Sequence, residues 1–269
     1  EEINLVNPNT GTCPTFRTRK DAELSIKIYR NSSILKHEKE DEDDIWGIEL
    51  RRMFNSGDDS DLFERKWDLE EDGWELMGNI FEKEDKKYLP VYESKMIHQY
   101  DHRFKTYRDQ EKSQVKDKNP REVTPEKKDD PEYCILPPYW VSQQEYLDQW
   151  NSDRWHIALR KVARATDKRT VIASVIPAVA TEDSINHILD CDGEEAPILL
   201  SCLNSFVLDY AARRKVGGAN LNQYIAKQLP VPKPGKFENI TVNGESLYER
   251  VKKLSSMLMY TSNEISNYA

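Results

Sequence analysis

A chain of 269 residues is long enough to bury a substantial core in one or two domains. Charged residues make up 32% of it, and no apolar run approaches the roughly 20 residues that a bilayer-spanning helix needs, which excludes a spanning helix. The net charge of −9 is unevenly placed: residues 1–92 carry 14 Lys+Arg against 23 Asp+Glu, and residues 93–269 carry 25 of each, so a basic face is compatible with the later two thirds.

The chain opens Glu1-Glu2-Ile3, with neither an initiator Met nor a signal peptide, as expected of a piece of a longer protein. Residues 3–16 read as an extended entry around a turn at Asn7-Pro8-Asn9-Thr10-Gly11. Asp21 is placed to cap a short helix with Leu24 and Ile28 on one face. The acidic run 38–44 reads as a solvated loop, and Trp46, Ile48 and Leu50 alternate as in a half-buried strand. Tyr88 to Tyr92 is strand-like again. Residues 109–132 mix both charges with three prolines and read as a mobile loop or insertion. Gln143 to Trp150 suits a helix, and Trp155, Ile157 and Leu159 a strand.

The clearest helix is expected over Ala196–Arg214, with Leu199, Leu203, Phe206 and Tyr210 forming one apolar stripe. Gly217-Gly218 ends it, and Asn220 is placed to cap a short helix running through Ile225. A last helix from Ser246 to about Ile265 carries Leu247, Val251, Leu254, Leu258, Thr261 and Ile265 at alternating steps of four and three, a seam suited to docking on another helix. The four cysteines (Cys13, Cys134, Cys191 and Cys202) form no CxxC pair, which points to reduced thiols and a cytoplasmic setting.

Several short patterns carry candidate chemistry. Glu93-Ser94-Lys95 after a strand has the form of half a Mg²⁺-dependent nuclease site; a positioned salt bridge is the plainer reading. His98 and His102 would share a helical face as a metal pair, or form part of a polar contact surface. Asn7-Pro8 lacks the second proline and aromatic of an amino-methyltransferase motif. In Leu136-Pro137-Pro138-Tyr139, leucine stands where a hydrogen-bond acceptor is needed, and no glycine-rich turn for S-adenosylmethionine is present. The basic residues Arg164, Lys168, Arg169, Arg213, Arg214 and Lys215 suit phosphate or guanine edges, and Gly217-Gly218 suits a close approach of phosphate to backbone N–H groups; a plain solvated surface is the alternative.

Three long segments carry a resemblance: Leu89 to Arg103 (LPVYESKMIHQYDHR), Arg164 to Ala173 (RATDKRTVIA) and Lys215 to Asn222 (KVGGANLN), with Val6 to Thr12 fitting as well. Together they resemble the C-terminal region of large bacterial adenine-specific DNA methyltransferases of the type IIG restriction and BREX or DISARM phage-defence kind. Gln228-Leu229-Pro230-Val231-Pro232 before a long helix is similar to the end of a target-recognition domain in type I specificity subunits. The resemblance implies an α+β target-recognition domain, a twisted sheet flanked by helices. In that division residues 1–20 enter from a methyltransferase domain, 21–235 form the recognition domain and 236–269 dock back on the methyltransferase.

On this reading the chain itself has no catalytic or metal residues and no cofactor. S-adenosylmethionine belongs to the parent enzyme, as does Mg²⁺ if the parent cleaves DNA. Its partners are double-stranded DNA, the methyltransferase domain and other defence-system subunits. The expected DNA contacts are Lys95, His98, Arg164, Arg169, Thr170, Arg213, Lys215, Gly217, Gly218 and Asn222. The alternatives are a Mg²⁺-dependent nuclease domain and a protein-interaction module.

Overall fold

Thr18 starts the first long helix of the computed structural model: its hydroxyl accepts from the Asp21 N–H at 3.1 Å, and Arg19–Arg30 follows. Asp21, the expected cap, lies one turn further in. Ser25 and Tyr29 are the buried positions, so the inward face is rotated one residue from the Leu24/Ile28 face expected. The structure describes residues 2–14, 16–38, 45–108, 110, 119–150, 152, 154–191 and 193–268. Most of the acidic run (39–44) and part of the expected insertion (109 and 111–118) lie outside them.

The fold is α+β, as expected, with mixed helices, mainly antiparallel strands and a C-terminal helix. The chain forms two compact units that interleave in sequence. The first comprises 1–51, 159–173 and 186–257, and the second 52–158, 174–185 and 258–269. Among the described residues no helix is long and apolar enough to cross a membrane.

In the first unit the entry is helical over Glu2–Val6, where an extended segment was expected, because Val6 buries beside Tyr29 and Ile34. The expected turn follows: the Gly11 N–H reaches the Asn7 carbonyl at 2.8 Å, and Gly11 takes φ +60°, a conformation that glycine adopts without Cβ strain. Gln228 holds that turn from the other end of the unit, its Oε1 accepting from the Asn9 N–H. Pro230-Val231 then pairs antiparallel with Ser33-Ile34. Glu49–Arg51 pairs antiparallel with His187–Leu189.

The long helix expected over Ala196–Arg214 is two helices, Ala196–Leu203 and Phe206–Lys215. Ser205 breaks it by capping the second, accepting from the Leu208 N–H at 3.2 Å. Asn204 anchors the break, its amide exchanging hydrogen bonds with the Ala173 backbone at 3.0 and 2.9 Å. The new start changes the phase of the helix. Leu208, Ala211 and Ala212 face inward, and Phe206, expected in the apolar stripe, is exposed. The last helix spans Leu247–Met259, shorter than expected, with a 3-10 segment over Asn263–Tyr268.

The second unit is built on strands ordered Phe63–Glu64, Tyr139–Ser142, Lys86–Tyr92, Ile80–Lys83 and Glu75–Met77, all antiparallel neighbours. Ala180-Thr181 adds to Val91-Tyr92 in parallel. Trp140 and Phe81 pack edge to face with Leu69 and Leu136 to one side. Tyr92, Met96, Ile97 and Ile135 form a second cluster with Ile176 and Ile185. Gln143–Gln149 is helical as expected, capped by Ser142. Of the expected insertion, Arg121-Glu122 pairs with Lys105-Thr106 and Pro125–Lys128 forms a helical turn, so this part is ordered into the unit.

Candidate nucleic-acid interface

The DNA contacts expected from the sequence fall into two groups. Arg164, Arg169, Thr170, Arg213, Lys215, Gly217, Gly218 and Asn222 belong to the first unit, Lys95 and His98 to the second.

In the first unit a short antiparallel contact positions the group. The Ala163 N–H bonds the Ala219 carbonyl at 2.9 Å, and the Leu221 N–H bonds the Lys161 carbonyl at 2.7 Å. Loop 164–170 therefore leaves from beside the segment that carries Gly217-Gly218. Asp209 closes the loop from inside. Its buried carboxylate accepts the N–H groups of Thr170 and Val171 at 2.7 and 2.9 Å and the Arg213 Nε at 2.8 Å, with Arg169 Nε at 3.7 Å. Arg213 then donates to three loop carbonyls, those of Ala165, Asp167 and Lys168, at 2.6–2.7 Å.

Four expected DNA contacts thus turn inward. Arg213 fills its fork with loop carbonyls and Asp209. Arg169 donates to the Asn204 carbonyl at 2.5 Å and lies over the Phe206 ring at 4.5 Å. Thr170 is fully buried, and its hydroxyl donates to the Arg164 carbonyl. Lys215 reaches the Val6 carbonyl and Asn7 Oδ1 at 2.6 and 2.5 Å over the Tyr29 ring, and desolvation lowers its ammonium to about 7. Such groups shape the surface rather than present themselves on it. Asn7, the remnant of a catalytic-looking motif, serves the same internal order through the Lys215 contact and its own bond to the Thr12 carbonyl.

Arg164 and Lys168 remain exposed on the outer side of the loop, and Asp167 accepts the backbone N–H of Arg164. Gly217 and Gly218 are exposed as well. Neither adopts a left-handed φ, and a Cβ built on either meets nothing within 4 Å. The interior of the chain therefore gives no steric reason for glycine here, whereas an incoming group that must approach the backbone closely would. Asn222 caps the short Gln223–Ala226 helix by position, the place expected for Asn220, with no cap bond from its side chain.

In the second unit, Glu93-Ser94-Lys95 leaves the Lys86–Tyr92 strand into a 3-10 turn over Ser94–Met96. Glu93 is buried, accepts the Tyr107 hydroxyl at 2.5 Å and lies 4.0 Å from the half-exposed Lys95 ammonium, which is the salt-bridge arrangement. His98 and His102 do not share a helical face. A turn closes between His98 and Asp101 through N–H to carbonyl bonds at 2.7 and 3.1 Å, with Tyr100 left-handed at φ +57°. His98 rests on Phe104, whereas His102 is fully buried, 3.9 Å from Glu264, and burial pushes its imidazole down to about 3. Among the described residues no three His, Cys, Asp or Glu side chains converge in a way that could hold a metal ion.

Asp209 and Asn204 organise this surface and were not singled out from the sequence. The i,i+4 spacing of Asp209 and Arg213 was the available signal. No family model matches the chain, and no curated protein matches it.

Proposed function

We propose that this chain is the DNA target-recognition part of an adenine-specific DNA methyltransferase of the bacterial restriction or phage-defence kind. Base flipping and methyl transfer from S-adenosylmethionine belong to a methyltransferase domain of the same parent enzyme. One observation carries the reading: the exposed cations Arg164 and Lys168 lie on a loop braced from within, beside two exposed glycines that the chain's own packing does not require. A braced cationic loop can take phosphate without ordering cost, and bare backbone lets phosphate oxygens reach N–H groups. Lys95, half exposed in the second unit, is proposed as a further phosphate contact. The inward-turned Arg169, Arg213, Thr170 and Lys215 support the loop instead of touching DNA.

The test is fluorescence anisotropy of the chain with random-sequence duplex DNA over a range of salt. Affinity that falls linearly in log–log form, with a slope of about −0.9 per neutralised phosphate, supports the reading; no binding at low salt overturns it for the chain on its own. A second reading, a protein-interaction module, draws on the exposed Leu254 and Leu258 of the Leu247–Met259 helix, two positions of the seam expected to dock on a partner domain. A chain that ignores DNA at all salts but is retained by the methyltransferase domain would favour it.

A further inference from the structure

Phe206 is an anomaly for a residue of its size. Its ring is 83% exposed at the first position of the Phe206–Lys215 helix, with Val207 exposed beside it. Nevertheless its position is tightly fixed. Ser205 caps the helix, Asn204 is locked to the Ala173 backbone by two hydrogen bonds, and Arg169 bonds the Asn204 carbonyl. The Arg169 guanidinium, itself largely buried and held near Asp209, covers the ring at 4.5 Å from its centroid. One side of the ring thus has a fixed cation against it, and most of the rest is bare.

The surroundings are cationic. Arg164 and Lys168 are exposed on the loop that also carries Arg169. The carboxylate of Asp167 is turned to a backbone N–H, and that of Asp209 is buried. One turn along the helix the Arg214 guanidinium lies over the Tyr210 ring at 4.8 Å. There, however, the Asp21 carboxylate pairs with Arg214 at 3.6 Å and accepts the Tyr210 hydroxyl at 2.7 Å, so that pair is neutralised where the Phe206 pair presents its ring. Aromatic rings set among guanidinium groups suit a polyanion that also has flat apolar faces. A nucleic acid is such a molecule, and its flat faces are its bases. A protein groove would gain from Val207 and Phe206 but not from the flanking cations.

We propose that Phe206 stacks on a nucleobase that has left its place in a bound duplex. The inference rests on the DNA-recognition reading and goes beyond it by naming the group that Phe206 meets. The guanidinium beneath fixes the ring in one orientation, so little rotamer freedom is lost on stacking.

The test compares two 20-base-pair duplexes of one sequence, one fully paired and one with a single bulged adenine, bound to the wild-type chain, Phe206→Ala and Phe206→Trp at two salt concentrations. The expected result is that wild type prefers the bulged duplex by about tenfold, the scale of one base–aromatic stack. Phe206→Ala should lose that preference while keeping its affinity for the paired duplex and its salt slope, and Phe206→Trp should keep the preference. Because the side chain is exposed, Phe206→Trp should unfold with wild type, and Phe206→Ala should lose only the small contribution of the ring contact with Arg169. A wild-type chain without the preference, or an alanine variant that retains it, overturns the role of Phe206 and leaves the DNA reading standing. Absence of salt-dependent binding to either duplex overturns both.

Discussion

Arg213 and Arg103 are both drawn into the chain, one in each unit, and their company differs. Arg213 joins the carbonyls of loop 165–168 to a carboxylate, Asp209, which also takes two backbone N–H groups. Arg103, 1% exposed, gives its four side-chain hydrogen bonds to the carbonyls of Lys128, Asp130, Tyr133 and Thr261. The first arrangement is charge-balanced and leaves one side of its loop to solvent. The second gathers strands of backbone around a buried cation and leaves nothing outside. An arginine cluster in sequence therefore has two physical outcomes, and the outcome depends on whether the loop it holds faces outward.

The largest effect should come from the charge without a bonded carboxylate. Arg103→Ala removes the side chain that, among the described residues, joins those four carbonyls, and a loss of about 3–5 kcal/mol is expected. Five of the six tryptophans lie in the second unit, so denaturant unfolding followed by tryptophan fluorescence reads it directly. A loss below about 1 kcal/mol would show that Arg103 does not organise the unit. Asp209→Ala should cost somewhat less, about 3 kcal/mol, because Arg213 and Arg169 retain carbonyl partners. Hydrogen exchange should locate the damage at the amides of Thr170 and Val171. Unchanged protection there would refute the bracing role of Asp209.

How far the sequence revealed this contrast depends on the scale of the signal. Local signals were legible: the turn at Asn7–Gly11, the strand through Tyr88–Tyr92 and the Gln143–Gln149 helix. Gly217-Gly218 follows the end of the Phe206–Lys215 helix without capping it, because Val216 leaves the helix in extended backbone and neither glycine is left-handed. Periodicity failed where it was counted across a break. Leu199 and Leu203 are buried, and continuing their stripe to Phe206 crosses the Ser205 cap, after which the inward face starts from Leu208. The strand expected from Trp155, Ile157 and Leu159 forms over His156–Arg160, and His156 to Leu159 are all covered, which alternation of residue types could not reveal. At the candidate interface the residue types were right, and their directions were not readable. Whether Arg164 points out and Arg213 in depends on Asp209, 45 residues away from the former, and on the antiparallel contact of 161–163 with 219–221.

A further difference between the units is titratable. Burial raises the Glu264 carboxyl to about 7, while Asn79 donates to its Oε1 at 2.7 Å and Arg103 and Arg108 oppose the shift. A carboxyl raised from its ordinary 4.5 holds its proton in the fold and not in the unfolded chain. Its contribution is therefore complete below about 4.5 and is lost as pH rises to about 7. His102 and His156, pushed by burial down to about 3 and 4, act in the opposite sense: the unfolded chain takes up protons first as pH falls below 6.5, which destabilises the fold. Glu264→Gln should accordingly gain about 2 kcal/mol on wild type between pH 5 and pH 8, read as a change in the difference between their unfolding midpoints. A pH-independent difference would remove Glu264 from the account.

The smallest effect on stability should come from the exposed cations, and it sharpens the contrast most. Arg164→Ala and Lys168→Ala leave the internal bonds of Asp209, Arg213 and Thr170 in place, since the loop uses the Arg164 backbone rather than its guanidinium. Each should change unfolding by no more than about 0.5 kcal/mol. Each should also weaken binding to duplex DNA and make the salt slope shallower by about 1, with no dependence on base sequence. Arg213→Ala makes the reverse prediction: unfolding shifts first, and DNA affinity falls only as far as the loop loses its shape. If Arg213→Ala instead left stability unchanged and lowered the slope by about 1, Arg213 would belong with the exposed cations and the division between bracing and presenting residues would fail.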